Sequence, residues 1–142
     1  MKLAWGVAAA ALAAGPAAAA DLGPRTNYLL HCSGCHQADG AGSAAHNVPP
    51  MKGVVGHFLR TEEGRAFLVQ VPGTSNSGLS DAQIAALLNW MVPALSAAEM
   101  PPGFVAYTAD EVAKLRAQKL ADVAARRDQV VRRLREMGHA VP

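Results

Sequence analysis

The 142-residue sequence is short of the residues on which several classes of protein depend. It has only two cysteines, and neither a further cysteine pair nor a His-x-x-x-His pair accompanies them, which argues against a structural zinc site. Aromatic residues make up 5% of the chain and basic residues alternate with acidic ones, so we expect no binding of nucleic acid. No pair of nucleophile and base is apparent, and we therefore expect a protein that is not an enzyme. After the N-terminal segment, no apolar stretch is long enough to cross a bilayer.

The two cysteines stand three positions apart in Cys32-Ser33-Gly34-Cys35-His36. On a helical turn, residues i and i+3 share a face and are separated by a rise of about 4.5 Å. Both thiols can therefore form thioethers with the two vinyl groups of one haem, and His36 can offer its imidazole as the proximal ligand of the iron. Cys-x-x-Cys-His is the attachment signature of c-type haem, and the sequence predicts one covalent haem c per chain. A thioredoxin-like dithiol would need a βαβ pattern, which is not visible.

The N-terminus has the pattern of a secretory signal peptide. Lys2 precedes an apolar run over residues 3–14, and a run of alanines over residues 17–20 precedes Asp21. We predict that residues 1–20 are cleaved after Ala20 and that the mature protein is periplasmic. An uncleaved N-terminal anchor is the alternative. Export agrees with the haem motif, because c-type haem is attached outside the cytoplasm.

The rest of the chain is predicted to form a haem domain, residues 21–107, and a charged helical C-terminal extension, residues 108–142. The first segment has four basic and six acidic residues, for a net charge of −2, and the second has eight and five, for +3. An interrupted apolar stripe from Val112 to Met137 predicts one long helix or a helical pair. The extension is either a solvated helix packed loosely on the domain or an arm that docks a partner protein, a second copy or an acidic membrane surface.

A second helix is marked by its N-terminal signal. Ser80 is the expected N-cap and Gln83 completes a capping box. Residues 72–78 before it have the composition of a loop, and Pro93 is predicted to end the helix. Its apolar face contains Ile84, Leu87, Leu88 and Met91.

The order of these motifs resembles class I cytochromes c. A glycine-rich loop, residues 37–47, follows the haem motif, and then Pro49-Pro50-Met51-Lys52-Gly53 is similar to the family's Pro-x-Leu-x-Gly stretch. The resemblance implies an all-α fold around one haem, with the Pro49 carbonyl accepting a hydrogen bond from His36 and Met51 in the haem pocket. It also implies that the helix after Ser80 crosses an N-terminal helix, from Arg25 to about Cys35. We expect Tyr28 and Leu29 to face the core there, with Tyr28 against Trp90.

The sequence departs from the family at the sixth ligand of the iron. Small class I cytochromes c usually carry the distal methionine in the loop before the last core helix, but residues 73–78 contain none. We favour Met100 as the distal ligand, because two prolines stiffen the irregular loop that follows it. His57 is the alternative, and Met91, Met51 and an open sixth site also stay open.

We therefore expect a periplasmic one-electron carrier whose iron alternates between the ferrous and ferric states. We expect its partners to be redox proteins. The alternatives are the cytochrome subunit of a periplasmic dehydrogenase or oxidase complex, with the extension as assembly element, and a haem-based gas or redox sensor with an open sixth site.

Overall fold

A computed structural model describes residues 22–142, and within that range the fold is all-α, as predicted. The predicted signal peptide, residues 1–20, lies outside the described residues. Among the described helices, none is long and apolar enough to span a membrane. The helices are α1 (Pro24–His31), α2 (Ser33–His36), α3 (Val55–Phe58), α4 (Glu62–Gln70), α5 (Pro72–Ser75), α6 (Asp81–Ser96), α7 (Ala109–Arg116) and α8 (Val123–Glu136), with 3-10 turns at Ala44–His46 and Ala97–Glu99.

Helices α1 and α6 cross, and this packing positions the haem motif. Tyr28 is completely buried, and its ring centre lies 5.8 Å from that of Trp90 at an interplanar angle of 57°, which confirms the predicted aromatic contact. The prediction for Leu29 is wrong, because this residue is 36% exposed. One residue turns the helix by about 100°, so Leu29 points away from the face on which Tyr28 is buried. The predicted single helix is also divided, because the backbone leaves helical geometry at Cys32.

Helix α6 begins as predicted and ends later than predicted. The Ser80 hydroxyl accepts a hydrogen bond from the Gln83 N–H at 3.2 Å, and the Gln83 side chain accepts one from the Ser80 N–H at 2.9 Å. The helix continues through Pro93 to Ser96, so the predicted end at Pro93 is wrong. A proline inside a helix costs about 3 kcal/mol. Here Val92 is buried and the Ser96 hydroxyl accepts from the Gly56 N–H at 3.0 Å, and these tertiary contacts hold the last turn.

The segment before α6 contains one more helical turn than predicted. Residues 72–75 form α5 instead of a loop. Pro72 is the first residue of this turn, where the fixed φ of proline favours a helix and its missing N–H costs nothing. Only the residues between Ser75 and Asp81 remain non-helical.

The C-terminal extension forms a helical pair, α7 and α8, with one side in the core. Val112, Val130 and Leu134 have at most 1% of their surface exposed, and they belong to the same hydrophobic cluster as Tyr28. Arginines occupy the opposite, exposed side of α8. The apolar stripe is therefore part of the core as far as Leu134, whereas Met137 at its end is 43% exposed. The domain boundary after residue 107 stays a prediction.

Polar side chains fasten the extended segment between α6 and α7. The Asn89 amide donates to the Tyr107 carbonyl at 3.0 Å and accepts from the Tyr107 N–H at 2.8 Å. The Arg65 guanidinium binds both carboxylate oxygens of Glu111, at 2.6 and 2.7 Å, and lies 3.9 Å from the centre of the Tyr107 ring. These contacts attach α7 to α4 and α6.

Candidate haem site

The cysteines of the haem motif lie where α1 gives way to α2. The Cys32 N–H donates to the Tyr28 carbonyl at 2.9 Å, and the His36 N–H donates to the Cys32 carbonyl at 3.0 Å, so both ends of the motif are fixed by helical hydrogen bonds. Both thiols are free, Cys32 half-buried and Cys35 exposed. Burial raises the pKa of the Cys32 thiol. The motif therefore presents two free thiols one turn apart, as addition to two vinyl groups requires.

A main-chain carbonyl orients the imidazole of His36. The Nδ1 atom of His36 lies 3.2 Å from the Pro49 carbonyl oxygen, the contact that the family resemblance implies. Because a carbonyl can only accept, Nδ1 carries the proton and Nε2 keeps its lone pair. Burial lowers the pKa of His36, and the hydrogen bond to Pro49 partly offsets this effect. The lowered pKa and the contact at Nδ1 both favour the neutral imidazole, in the tautomer that a metal ligand needs.

The Pro49 carbonyl is in turn placed by a close backbone approach at Gly42. The Gly42 N–H donates to the His36 carbonyl at 3.0 Å, and Gly42 has a φ of +71°. A Cβ at this position would lie 2.6 Å from the Val48 carbonyl oxygen and 2.7 Å from that of Pro49. Two hydrogen bonds of 2.9 Å between Ser43 and Val48 close the loop. Only glycine fits at position 42, where the two ends of this loop approach each other. The loop thereby holds His36 and Pro49 close together.

Met51 stands next to this loop. Its N–H donates to the Gly40 carbonyl at 2.8 Å, and its side chain is half-buried against the hydrophobic core. Its carbonyl accepts from the N–H groups of Val54 and Val55 at 3.0 Å, so Met51 also leads into α3. Its assignment to the haem pocket, like that of Pro49, stays a prediction.

Met100, the favoured distal ligand, lies where α3 meets the end of α6. Its carbonyl accepts from Arg60 at 3.4 Å, and its N–H donates to the Ala97 carbonyl, also at 3.4 Å. The side chain is half-buried against the core. In the part of the chain that the structure describes, the main-chain groups of Met100 form hydrogen bonds with Arg60 and with the 3-10 turn, and Met100 forms no hydrogen bond with His36. Ligation by Met100 stays a prediction.

His57, the alternative distal ligand, is engaged with the C-terminal segment. Its ring centre lies 5.1 Å from that of His139, and its Nδ1 atom is buried without a hydrogen-bond partner in the described structure. Burial lowers the pKa of His57, and His139 and Arg60 lower it further against the opposing effect of Glu99. His57 therefore packs against His139 with a lowered pKa, and its ligation also stays a prediction.

The arrangement fits a covalently attached haem. The motif supplies two free thiols and a neutral imidazole whose Nδ1 is engaged by a carbonyl. Cys32, Cys35 and His36 would hold the group, which supplies the one-electron chemistry. Sequence reasoning missed Arg116, which binds the segment before α6 through four hydrogen bonds. No local motif marks that arginine among the other charges of α7.

Comparison with known proteins agrees with this geometry. A family model described as Cytochrome c matches residues 20–125. The chain is 37% identical over 107 residues to Cytochrome c-552 of Thermus thermophilus, covering 63% of this chain and 81% of that protein. A second Cytochrome c-552 of Thermus thermophilus gives the same identity over 72% of its own length. With the haem motif in place and a family match that extends past residue 107, the chain belongs to the cytochrome c family, as a class I c-type cytochrome that carries electrons by one covalently bound haem c.

Proposed function

We propose that this cytochrome is exported to the periplasm and carries single electrons between redox partner proteins. One observation carries the proposal: the Nδ1 atom of His36 is engaged by the Pro49 carbonyl, one residue after a pair of free cysteines. A ligand fixed in this way keeps one orientation in both oxidation states, which lowers the structural change that accompanies electron transfer.

Purified holoprotein tests the carrier role. We expect one haem per chain that survives acid-acetone extraction, and a reversible redox titration that fits a single one-electron step. The Cys32→Ser, Cys35→Ser double variant should lose covalent haem, whereas Ser33→Ala, within the same motif, should keep it. Covalent haem in the double variant would contradict the assignment of the attachment site.

Export is proposed from the sequence pattern before Asp21. Mass spectrometry of the protein recovered from the periplasm should give Asp21 as its first residue. A full-length form in the membrane fraction would instead favour an uncleaved anchor.

For the sixth position we propose Met100, with His57 as the alternative. The ring contact between His57 and His139 favours Met100, because it already engages the imidazole of His57 within the protein. A thioether is a neutral, soft ligand that stabilises ferrous iron and raises the potential, whereas a second imidazole would lower it.

A sensor with an open sixth site is the second candidate function. It is favoured by the segment before α6, which contains no methionine or histidine. Rapid binding of carbon monoxide to the reduced wild-type protein would support the sensor and count against simple electron transfer. Slow or undetectable binding would support the carrier.

We also propose that the exposed side of α8 docks an acidic protein surface, as in a dehydrogenase or oxidase complex. Arg132 and Arg133 are exposed on that side, and Glu136 lies 3.6 Å from Arg133 as its partner. Arg132→Glu should weaken co-purification with a redox partner at low salt, while Lys114→Glu on α7 serves as a matched change of charge. Equal binding by the two variants and the wild type would count against docking by α8, and capture by anionic vesicles alone would favour a membrane surface.

A further inference from the structure

The backbone of Gln37, directly after the proposed proximal ligand His36, has a conformation that residues with a side chain rarely adopt. Its φ of 67° and ψ of 161° lie in a region that is essentially restricted to glycine. Asn47 also has a positive φ, but its ψ of 31° places it in the left-handed helical region, which asparagine tolerates. Gln37 is exposed, so packing of its own side chain does not explain the strain. A strained residue of this kind persists only where the surrounding structure fixes it.

A buried tyrosine hydroxyl fixes this residue. The Tyr28 hydroxyl donates to the Gln37 carbonyl at 2.7 Å, and the tyrosine itself is completely buried. The Gln37 N–H donates to the Ser33 carbonyl at 2.9 Å, and the Gly40 N–H donates to the Gln37 carbonyl at 3.3 Å. The phenol therefore makes the shortest of these three contacts, and it connects Gln37 to the hydrophobic core.

Tyr28 is bonded to the haem motif at both of its ends. Its main-chain carbonyl accepts from the Cys32 N–H at 2.9 Å, and its hydroxyl binds the residue that follows His36. Its ring packs against Trp90 of α6, and this contact orients the phenol. One rigid side chain thus spans the motif from its first cysteine to the end of α2.

We propose that Tyr28 is a positioning residue of the haem site: its hydroxyl holds Gln37 in the strained conformation and thereby fixes the backbone that carries His36. The Pro49 carbonyl fixes the imidazole at Nδ1, whereas the phenol fixes the main chain from which that imidazole extends. The proposal deepens the proposed function, since it rests on His36 as the proximal ligand. Without the hydroxyl, Gln37 relaxes towards a negative φ, and the main chain of His36 moves relative to Pro49.

The experiment compares holoprotein variants by nuclear magnetic resonance. It measures the exchange rate of the His36 Nδ1 proton, the exchange rates of the Gln37 and Gly40 amides, and the hyperfine shifts of the haem methyl groups, which depend on the orientation of the axial imidazole. Tyr28→Phe keeps the ring against Trp90 and removes only the hydroxyl. Because one buried hydrogen bond is lost, we expect these exchange rates to rise about tenfold and the methyl shifts to change.

Tyr107→Phe is the matched control. Tyr107 is also buried, and its hydroxyl donates to the Arg65 carbonyl at 2.9 Å, so the variant loses a bond of the same kind elsewhere. It should leave the exchange rates and the methyl shifts at the haem motif unchanged. Gln37→Gly tests the strain, because glycine adopts this φ and ψ freely. Added to Tyr28→Phe, it should return the exchange rate of the His36 Nδ1 proton to within about threefold of the wild-type rate.

Unchanged exchange of the His36 Nδ1 proton and unchanged methyl shifts in Tyr28→Phe would overturn the proposal, as would the absence of rescue by Gln37→Gly. If Tyr28→Phe does not fold, Gln37→Gly alone is compared with the wild type. It should lower the equilibrium constant for unfolding about fivefold, and an unchanged or higher constant would refute the strain on which the proposal depends.

The wild-type spectrum separates this proposal from the proposed function. If it shows no hyperfine-shifted Nδ1 proton from His36, proximal ligation fails, and the role of Tyr28 fails with it. A wild-type signal that Tyr28→Phe leaves unchanged refutes only the role of Tyr28.

Discussion

The side of α8 that faces the core gives the sharpest test of how the C-terminal extension is built. Leu134 is fully buried and belongs to the main hydrophobic cluster. Truncating such a leucine removes its transfer free energy and leaves a cavity, so Leu134→Ala should lower the free energy of unfolding by about 3 kcal/mol. For a domain of this size, that corresponds to a fall in Tm of roughly 10 °C. Chemical unfolding of the holoprotein, followed by far-ultraviolet circular dichroism, measures the change.

Met137 provides the matched control at the end of the same helix. It is 43% exposed, so Met137→Ala should cost less than about 1 kcal/mol. Equal small losses for Leu134→Ala and Met137→Ala would refute the conclusion that α8 is part of the core. Deleting residues 112–142 should have a larger effect, since it removes five residues from the cluster, and we expect the remaining chain to lose its cooperative unfolding transition. The residues removed from the cluster are Val112, Val130, Val131, Leu134 and Val141.

Three further changes test the haem site and the contact between α4 and α7. Gly42→Ala should destabilise the protein by at least about 2 kcal/mol, because the left-handed φ alone costs about 1–2 kcal/mol and the added Cβ meets two carbonyl oxygens; thermal unfolding measures this. Met100→Ala should abolish the near-infrared sulfur-to-iron band, open the ferrous haem to carbon monoxide and lower the potential, while His57→Ala should leave all three unchanged; the reverse result would make the site bis-histidine. The Arg65 guanidinium lowers the pKa of Glu111 below its ordinary 4.5, so their pair stabilises the fold above that pH and loses this effect as pH falls through the folded pKa. Glu111→Gln should therefore be less stable than wild type at pH 7, and the difference should shrink below pH 4.5 in a series of unfolding measurements; a constant difference would contradict this assignment.

The parts of the fold that could be predicted depend on local signals. The capping box of Ser80 and Gln83 spans four residues, and its hydrogen bonds form as expected. The predicted helix end at Pro93 and the predicted burial of Leu29 were wrong, because both depend on contacts between residues that are distant in the sequence. The bond between Ser96 and Gly56, 40 residues apart, holds the helix beyond the proline. The crossing of α1 and α6 determines that Tyr28 is buried and that Leu29 is exposed.

The residues of the haem site also differ in whether a local signal in the sequence predicts them. Cys32, Cys35 and His36 could be assigned from five adjacent residues, because attachment chemistry requires that spacing. The partner of His36 thirteen residues away could be named only through the family resemblance. Arg116 could not have been assigned to the 75–81 segment, since its acceptors are mostly main-chain carbonyls that carry no side-chain signature.

The acceptor for His36 also fixes how strongly this ligand can donate electrons to iron. A carboxylate in that place would pull the Nδ1 proton and increase the basicity of the imidazole, and its effect would change with pH as it titrated. The Pro49 carbonyl is neutral and does not titrate, so the basicity of the ligand stays constant across the physiological range. Because the acceptor is a main-chain atom, exchanging the side chain at position 49 leaves the oxygen itself in the chain. Ligand basicity is therefore changed most directly by moving the backbone, and Gly42, packed against that carbonyl, is the position through which a single substitution would do so.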